Sequence, residues 1–217
     1  MDAKTEIFNR IRDALQLSQN APAPEIPRNY RMEGEFAPGS AEVIAEMREK
    51  LEDYKAIVIE TDESGLPQAI TAALADVKSV VVPHGLNQKW IAAAKESGAK
   101  LSIDNPETGE ILSHSELDAI QTVLTASRCG VSLSGTIMLD GEPDQGRRAI
   151  TLVPDQHVLV LAAKEIYAVV PQAVAKLGAH PTRPTTWIAG PSATSDIELK
   201  RVDGVHGPRK LTVIIVR

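Results

Sequence analysis

Apolar positions along the chain follow two periods, and the switches between them mark its elements. Ile7, Phe8, Ile11 and Leu15 share one 3.6-residue stripe, with Arg10, Arg12 and Asp13 off it. This predicts an amphipathic helix ending near Leu17. Residues 18–39 lose the period and gain Pro22, Pro24, Pro27, Gly34, Pro38 and Gly39, the composition of an extended linker. Val43, Ile44, Met47 and Leu51 restore the helical stripe, with Ser40 placed to cap it and an end near Tyr54.

From there short β-rich runs alternate with helical ones. Strands are expected over 56–60, 78–83 and 99–104. The intervening helices are Pro67–Asp76, with Pro67 in its first turn, and a run from Asn87 closed by Gly98. The run over 78–83 is almost wholly apolar, as a strand buried on both faces must be. This alternation predicts a parallel α/β sheet. Strands at 122–127, 135–140 and 156–163 follow with short connections, which favour antiparallel neighbours. A helix interrupted at Pro171 is expected over 164–178, and strands at 186–190 and 210–217. The architecture implied is α/β, a mixed, mostly parallel sheet with helices on both faces. The expected organisation is a helical arm and Pro-rich linker over 1–39 and one α/β domain over 40–217. The arm either folds back on that domain or packs on a partner subunit.

Composition narrows the chemistry. The net charge is −6, and the aromatics are two Phe, two Trp and three Tyr. Nucleic-acid phosphates call for a basic face, and base stacking for more aromatic rings. Cys129 is the single cysteine, so the chain cannot form an internal disulfide or supply the four thiolates of an iron–sulfur cluster. Its usage suits a reducing compartment. The longest wholly apolar run is 158–163, short of the roughly 18 residues of a membrane helix. The N-terminus lacks the apolar core of a secretory signal. A soluble cytoplasmic protein is expected.

Several catalytic motifs fail. No G-x-G-x-x-G occurs. Gly130 and Gly135 have the spacing of phosphate-loop glycines, but Thr136 stands where the lysine is required. Ser134 displaces the second glycine of a G-x-S-x-G elbow, and no two histidines are four apart on a helix. Four features survive. His84 follows a buried strand, at the edge where α/β sheets bind ligands, and is either an acid–base group or a histidine satisfied by loop carbonyls. Arg147 and Arg148 close the loop Asp140–Arg148 and are suited to a carboxylate or phosphate, or are solvated cations of a hairpin. Ser192, Thr194 and Ser195 follow Gly190-Pro191 and suit an anion nest, with Asp196 able to orient an Arg or His. His206 lies between Gly204 and Gly207, with Pro208 and Arg209 next, a backbone that can approach a ligand closely or simply turn into the last strand. The candidate catalytic set is therefore His84, Asp196 and His206. The candidate anion-binding set is Arg147, Arg148, Ser192, Thr194, Ser195 and Arg209. No metal set is expected.

The last two features together resemble a known family. GPSATSDIELKRVDGVHGPRKLTVIIV (190–216) looks like the C-terminal signature of the LUD-domain family, most closely its lactate-utilisation C branch. CGVSLSGTIMLD, GRRAITLVPDQHVLVL and the N-terminal NRIRDAL match further family segments, so the resemblance spans nearly the whole chain. It implies a three-layer α/β/α sandwich of the NagB/RpiA/CoA-transferase type and a role in oxidising L-lactate to pyruvate. It also implies two iron–sulfur partner proteins, of the LutA and LutB type, that hold the clusters while this chain carries no cofactor. One position departs: Leu133-Ser134-Gly135-Thr136 stands where members commonly carry Glu-Thr-Gly-Thr, so no role of that Glu transfers. Three readings follow. The first is a non-cluster subunit that binds a small carboxylate or assembles the complex. The second is an independent isomerase or acyl-transferase acting on a small anion. The third is a scaffold docking through its arm.

Overall fold

The structure, a computed structural model, describes residues 2–17, 25–194, 202–204 and 207–217. In chain order its elements are α1 (Ala3–Leu17), α2 (Ala41–Asp53), β1 (Ile57–Thr61), α3 (Leu66–Ala73), β2 (Ser79–Pro83), α4 (Gln88–Glu96) and β3 (Lys100–Asp104). Then come α5 (His114–Asp118), β4 (Thr122–Ala126), β5 (Cys129–Val131), β6 (Thr136–Leu139), α6 (Arg148–Leu152), β7 (Gln156–Ala162) and β8 (Ile166–Tyr167). The last are α7 (Val170–Leu177), β9 (Thr186–Ile188), β10 (Ala193–Thr194), β11 (Val202–Asp203) and β12 (Lys210–Val216). The chain divides into two compact units, residues 1–30 and 31–217. In the first, α1 buries no residue. In the second, residues 31–39 already belong to the body: the Gly39 N–H donates to the Ile166 carbonyl at 3.0 Å.

The body is built on a six-stranded sheet of order β1-β12-β7-β4-β2-β3, every pair parallel. Because side chains alternate across a strand, each central strand supplies both layers. Val158, Val160, Val80, Val82 and Ile214 face α3 and α4. Leu159, Leu161, Val213 and Ile215 face α2 and the smaller sheet. Val81 and Val123 pack against Leu117 of α5 and Ile150 of α6. The result is the three-layer α/β arrangement expected. Helix α2 starts where Ser40 predicts, its Oγ accepting from the Val43 N–H at 3.4 Å.

Two local expectations are corrected. β4 and β7 pair parallel with each other and with β2 and β12, not antiparallel. The intervening residues form a β5–β6 hairpin in a second, four-stranded sheet of order β8-β5-β6-β9, so β4 to β7 is a long crossover. The antiparallel pairs found in this region are instead β5–β6 and β6–β9. Nor does one helix run over 164–178 with a break at Pro171. A 3-10 turn, Ala163–Glu165, and β8 come first, and α7 begins at Val170. Pro171 thus sits in the first turn, where its missing N–H costs nothing. Among the described residues no helix is long and apolar enough to cross a membrane.

Candidate functional site

β2 and β3 run parallel and end together at Pro83 and Asp104, so the residues after them share the carboxyl edge of the sheet. His84 sits there, its N–H donating to the Asp104 carbonyl at 3.2 Å. Its imidazole is largely buried, with Nε2 3.4 Å from Glu107 Oε1 and Nδ1 lacking a hydrogen-bond partner among the described residues. The loop between β6 and α6 folds back over this edge, where the Gly85 N–H donates to the Pro143 carbonyl at 3.1 Å. Gly146 allows the return: its φ is +72°, and a Cβ there would lie 2.4 Å from Ile150 Cδ1.

The two neighbouring arginines of this loop have opposite fates. Arg147 donates through Nε and Nη2 to both oxygens of Asp104, at 2.8 and 2.9 Å, and through Nη2 to the Leu112 carbonyl at 2.6 Å. Its fork is filled by the protein and clamps the loop to the sheet. Arg148, one residue on, opens α6 and is exposed; its carbonyl accepts from Thr151 Oγ1 at 3.1 Å, and its guanidinium has no hydrogen-bond or ion-pair partner among the described residues.

Arg148, His84, Thr151 and Asp140 line a cavity of about 430 Å3. Asp140 follows β6 and is 2% exposed. Among the described residues its nearest cations are Arg128 Nε at 3.4 Å and Arg183 Nη1 at 3.7 Å, and neither carboxylate oxygen receives a hydrogen bond from them. Arg183 is drawn instead to Glu142, and its hydrogen bond holds that carboxyl below the usual range. A buried carboxylate with open lone pairs is matched to a ligand bearing a hydroxyl or amino donor.

A second cavity of about 400 Å3 adjoins the first, since Arg148, Thr151 and Thr186 line both. Its other walls include Ser192, Gly207 and His157. The Ser192 N–H donates to the Pro208 carbonyl at 2.8 Å, and its carbonyl accepts from the Gly204 N–H at 3.1 Å. Gly204 is required here, for a Cβ would lie 2.2 Å from Ser192 Oγ. The structure therefore gathers His84, Arg147, Arg148 and Ser192 around one pair of cavities. Thr194 is placed by its backbone, in β10 opposite Val202. Ser195, Asp196 and His206 lie outside the described residues. Arg209 is spent on Asp155, its N–H on the carbonyl at 2.8 Å and Nη1 on Oδ1 at 3.0 Å. Among the described residues no group of three His, Cys, Asp or Glu side chains is placed to hold a metal ion.

Sequence reasoning missed Asp140, Arg183 and His157. The last carried a signal, a polar residue inside a strand otherwise apolar on both faces. His157 is 1% exposed, with Nε2 2.8 Å from Thr125 Oγ1 and Nδ1 without a partner among the described residues. Burial pushes its pKa down to about 3, so the ring is neutral near pH 7. Leu133 is exposed on a 3-10 turn and lines a separate cavity with Glu42 and Glu46. A carboxylate at that position would stand apart from the Arg148 cavities.

A family model described as the LUD domain matches residues 28–216. Lactate utilization protein C of Deinococcus radiodurans is 39% identical over 217 residues, 99% of this chain and 96% of that protein. Lactate utilization protein C of an Exiguobacterium species is 22% identical across 98% of this chain and 95% of its own length. Among solved structures, a DUF162 family protein from Deinococcus radiodurans superposes with a TM-score of 0.66 at 34% identity. That match covers 82% of this chain and 98% of the other.

Proposed function

The chain belongs to the LUD domain family, and on that premise we propose that it works in lactate utilisation as the subunit without clusters. It binds the small carboxylate, while two iron–sulfur partners of the LutA and LutB type take the electrons. The observation that carries this reading is Arg148, a guanidinium between two cavities with no partner among the described residues, in a relative of proteins named for lactate utilisation. A planar guanidinium receives a carboxylate with two parallel hydrogen bonds. The 2-hydroxyl of the same ligand, on this reading, donates to Asp140 or to His84 in the first cavity. Oxidising lactate at C2 removes two electrons, and a chain with one cysteine cannot by itself ligate an all-thiolate cluster to accept them.

The test is to tag the protein in cells growing on lactate and identify what copurifies. Two Cys-rich iron–sulfur proteins should come with it. Recovery of the chain alone, from cells shown to express such proteins, would overturn the subunit reading. His84 and Asp140 lining one cavity favour a second reading, an enzyme acting alone on a small anion. Turnover of a sugar phosphate or acyl thioester by the purified chain would establish it.

A further inference from the structure

A third cavity, of about 450 Å3, shares no lining residue with the two around Arg148. It opens at the carboxyl ends of the central strands, against Ala126, Ala162 and Val216, the last residues of β4, β7 and β12. Crossovers leave a crevice at this edge of a parallel sheet, and ligands of α/β folds bind there. Helices α3 and α4 begin at its rim, at Leu66 and at the capping Asn87, and bring the positive ends of their dipoles.

The side chains are mixed in a particular way. Lys89 and Lys164 are exposed at the cavity and have no ion-pair partner among the described residues. Arg217 shares Glu60 with Arg48, and Glu63 opposes the lysines from an exposed position. The floor is apolar, with Leu66, Val160 and Val216, and the half-buried Trp90 forms one wall. Asp144 also lines the cavity, and its buried Oδ1 has no hydrogen-bond partner among the described residues. Two spare cations call for an anion of more than one charge. An indole wall over an apolar floor calls for a flat ring. An unused carboxylate oxygen calls for a donor such as a ring amino group or a ribose hydroxyl. A volume of this size holds a ligand of nucleotide dimensions.

We propose that this cavity binds a nucleoside phosphate, with the phosphates on Lys89 and Lys164 and the base against Trp90. The site is independent of the carboxylate reading at Arg148. Trp90 and Trp187 are the only tryptophans, so a Trp187→Phe chain reports on Trp90 alone. Titration of that chain with ADP should change its fluorescence saturably in the micromolar range. Lys89→Gln with Lys164→Gln should weaken binding at least tenfold and leave the circular dichroism spectrum unchanged. Adenosine and inorganic phosphate should each bind far more weakly than ADP. Absence of saturation at millimolar ADP would overturn the proposal. So would adenosine binding as tightly as ADP, which removes the lysines' role, or phosphate doing so, which removes that of Trp90.

Discussion

Arg147 and Asp104 form a two-pronged ion pair in which the carboxylate is almost completely buried, at 1% exposure, and the guanidinium only in part. Asp104 ends β3, and Arg147 ends the loop that folds over the sheet, so one pair fixes the rim of the candidate site. Removing Arg147 leaves a buried charge uncompensated. Arg147→Ala should therefore destabilise the protein by about 3 kcal/mol. Arg147→Lys should recover only part of this, because an ammonium cannot reach both oxygens and the Leu112 carbonyl as a fork does. Urea denaturation of the three proteins measures both effects.

Arg148, whose guanidinium meets no partner among the described residues, should behave oppositely. Arg148→Gln should leave stability within about 0.5 kcal/mol. It should weaken binding of lactate or pyruvate by roughly 10–100-fold, the loss of a charge-assisted pair of hydrogen bonds. Calorimetry on the folded variant reads this directly, and an unchanged affinity would remove Arg148 from the site.

His157 makes the fold sensitive to acid. The unfolded imidazole titrates near 6.5 and the folded one near 3, so between those values only the unfolded chain takes the proton. Stability is complete above about pH 6.5 and falls as the pH drops toward 3, by up to about 1.4 kcal/mol per pH unit. His157→Gln should be less stable at pH 7, because the Thr125 contact changes. It should nonetheless lose stability less steeply between pH 6.5 and 4.5 than the parent. Equal slopes of the urea midpoint against pH would show that His157 does not contribute.

Cys129 is fully buried against Met138, and burial pushes its thiol from 9.0 up to about 12. The reactive thiolate is thereby about a thousandfold scarcer near neutral pH. The native protein should resist an aromatic disulfide reagent for hours and react with one equivalent as soon as it is unfolded.

Leu133→Glu introduces the residue that the family resemblance implies at this position. Because Leu133 is exposed beside Glu42 and Glu46, apart from the Arg148 cavities, the change should cost less than about 1 kcal/mol. It should leave carboxylate affinity unaltered, and a large gain in affinity would place that segment nearer the ligand than the structure does.

Taken alone, the chain's patterning was sufficient for α1 to α4, β1 to β4, β6, β7, β9 and β12 and for the α/β class, but not for α5, β5, α6 or β8. Ser40, Pro67, Asn87 and Gly98 all stand at helix ends, because caps and backbone restrictions act over one turn of chain. The same local code marked the loops carrying His84, Arg148 and Ser192. Pairing direction was decided elsewhere. β4 and β7 read as neighbours of β6 until the fold assigned the hairpin between them to a second sheet, a choice made by packing against α2. Nor did adjacency in sequence separate Arg147 from Arg148. One meets a carboxylate 43 residues away and the other meets none among the described residues, which follows only from where β3 ends. Asp140, Arg183 and His157 join the site for the same reason, since each sits at its cavity through contacts between segments far apart in the chain.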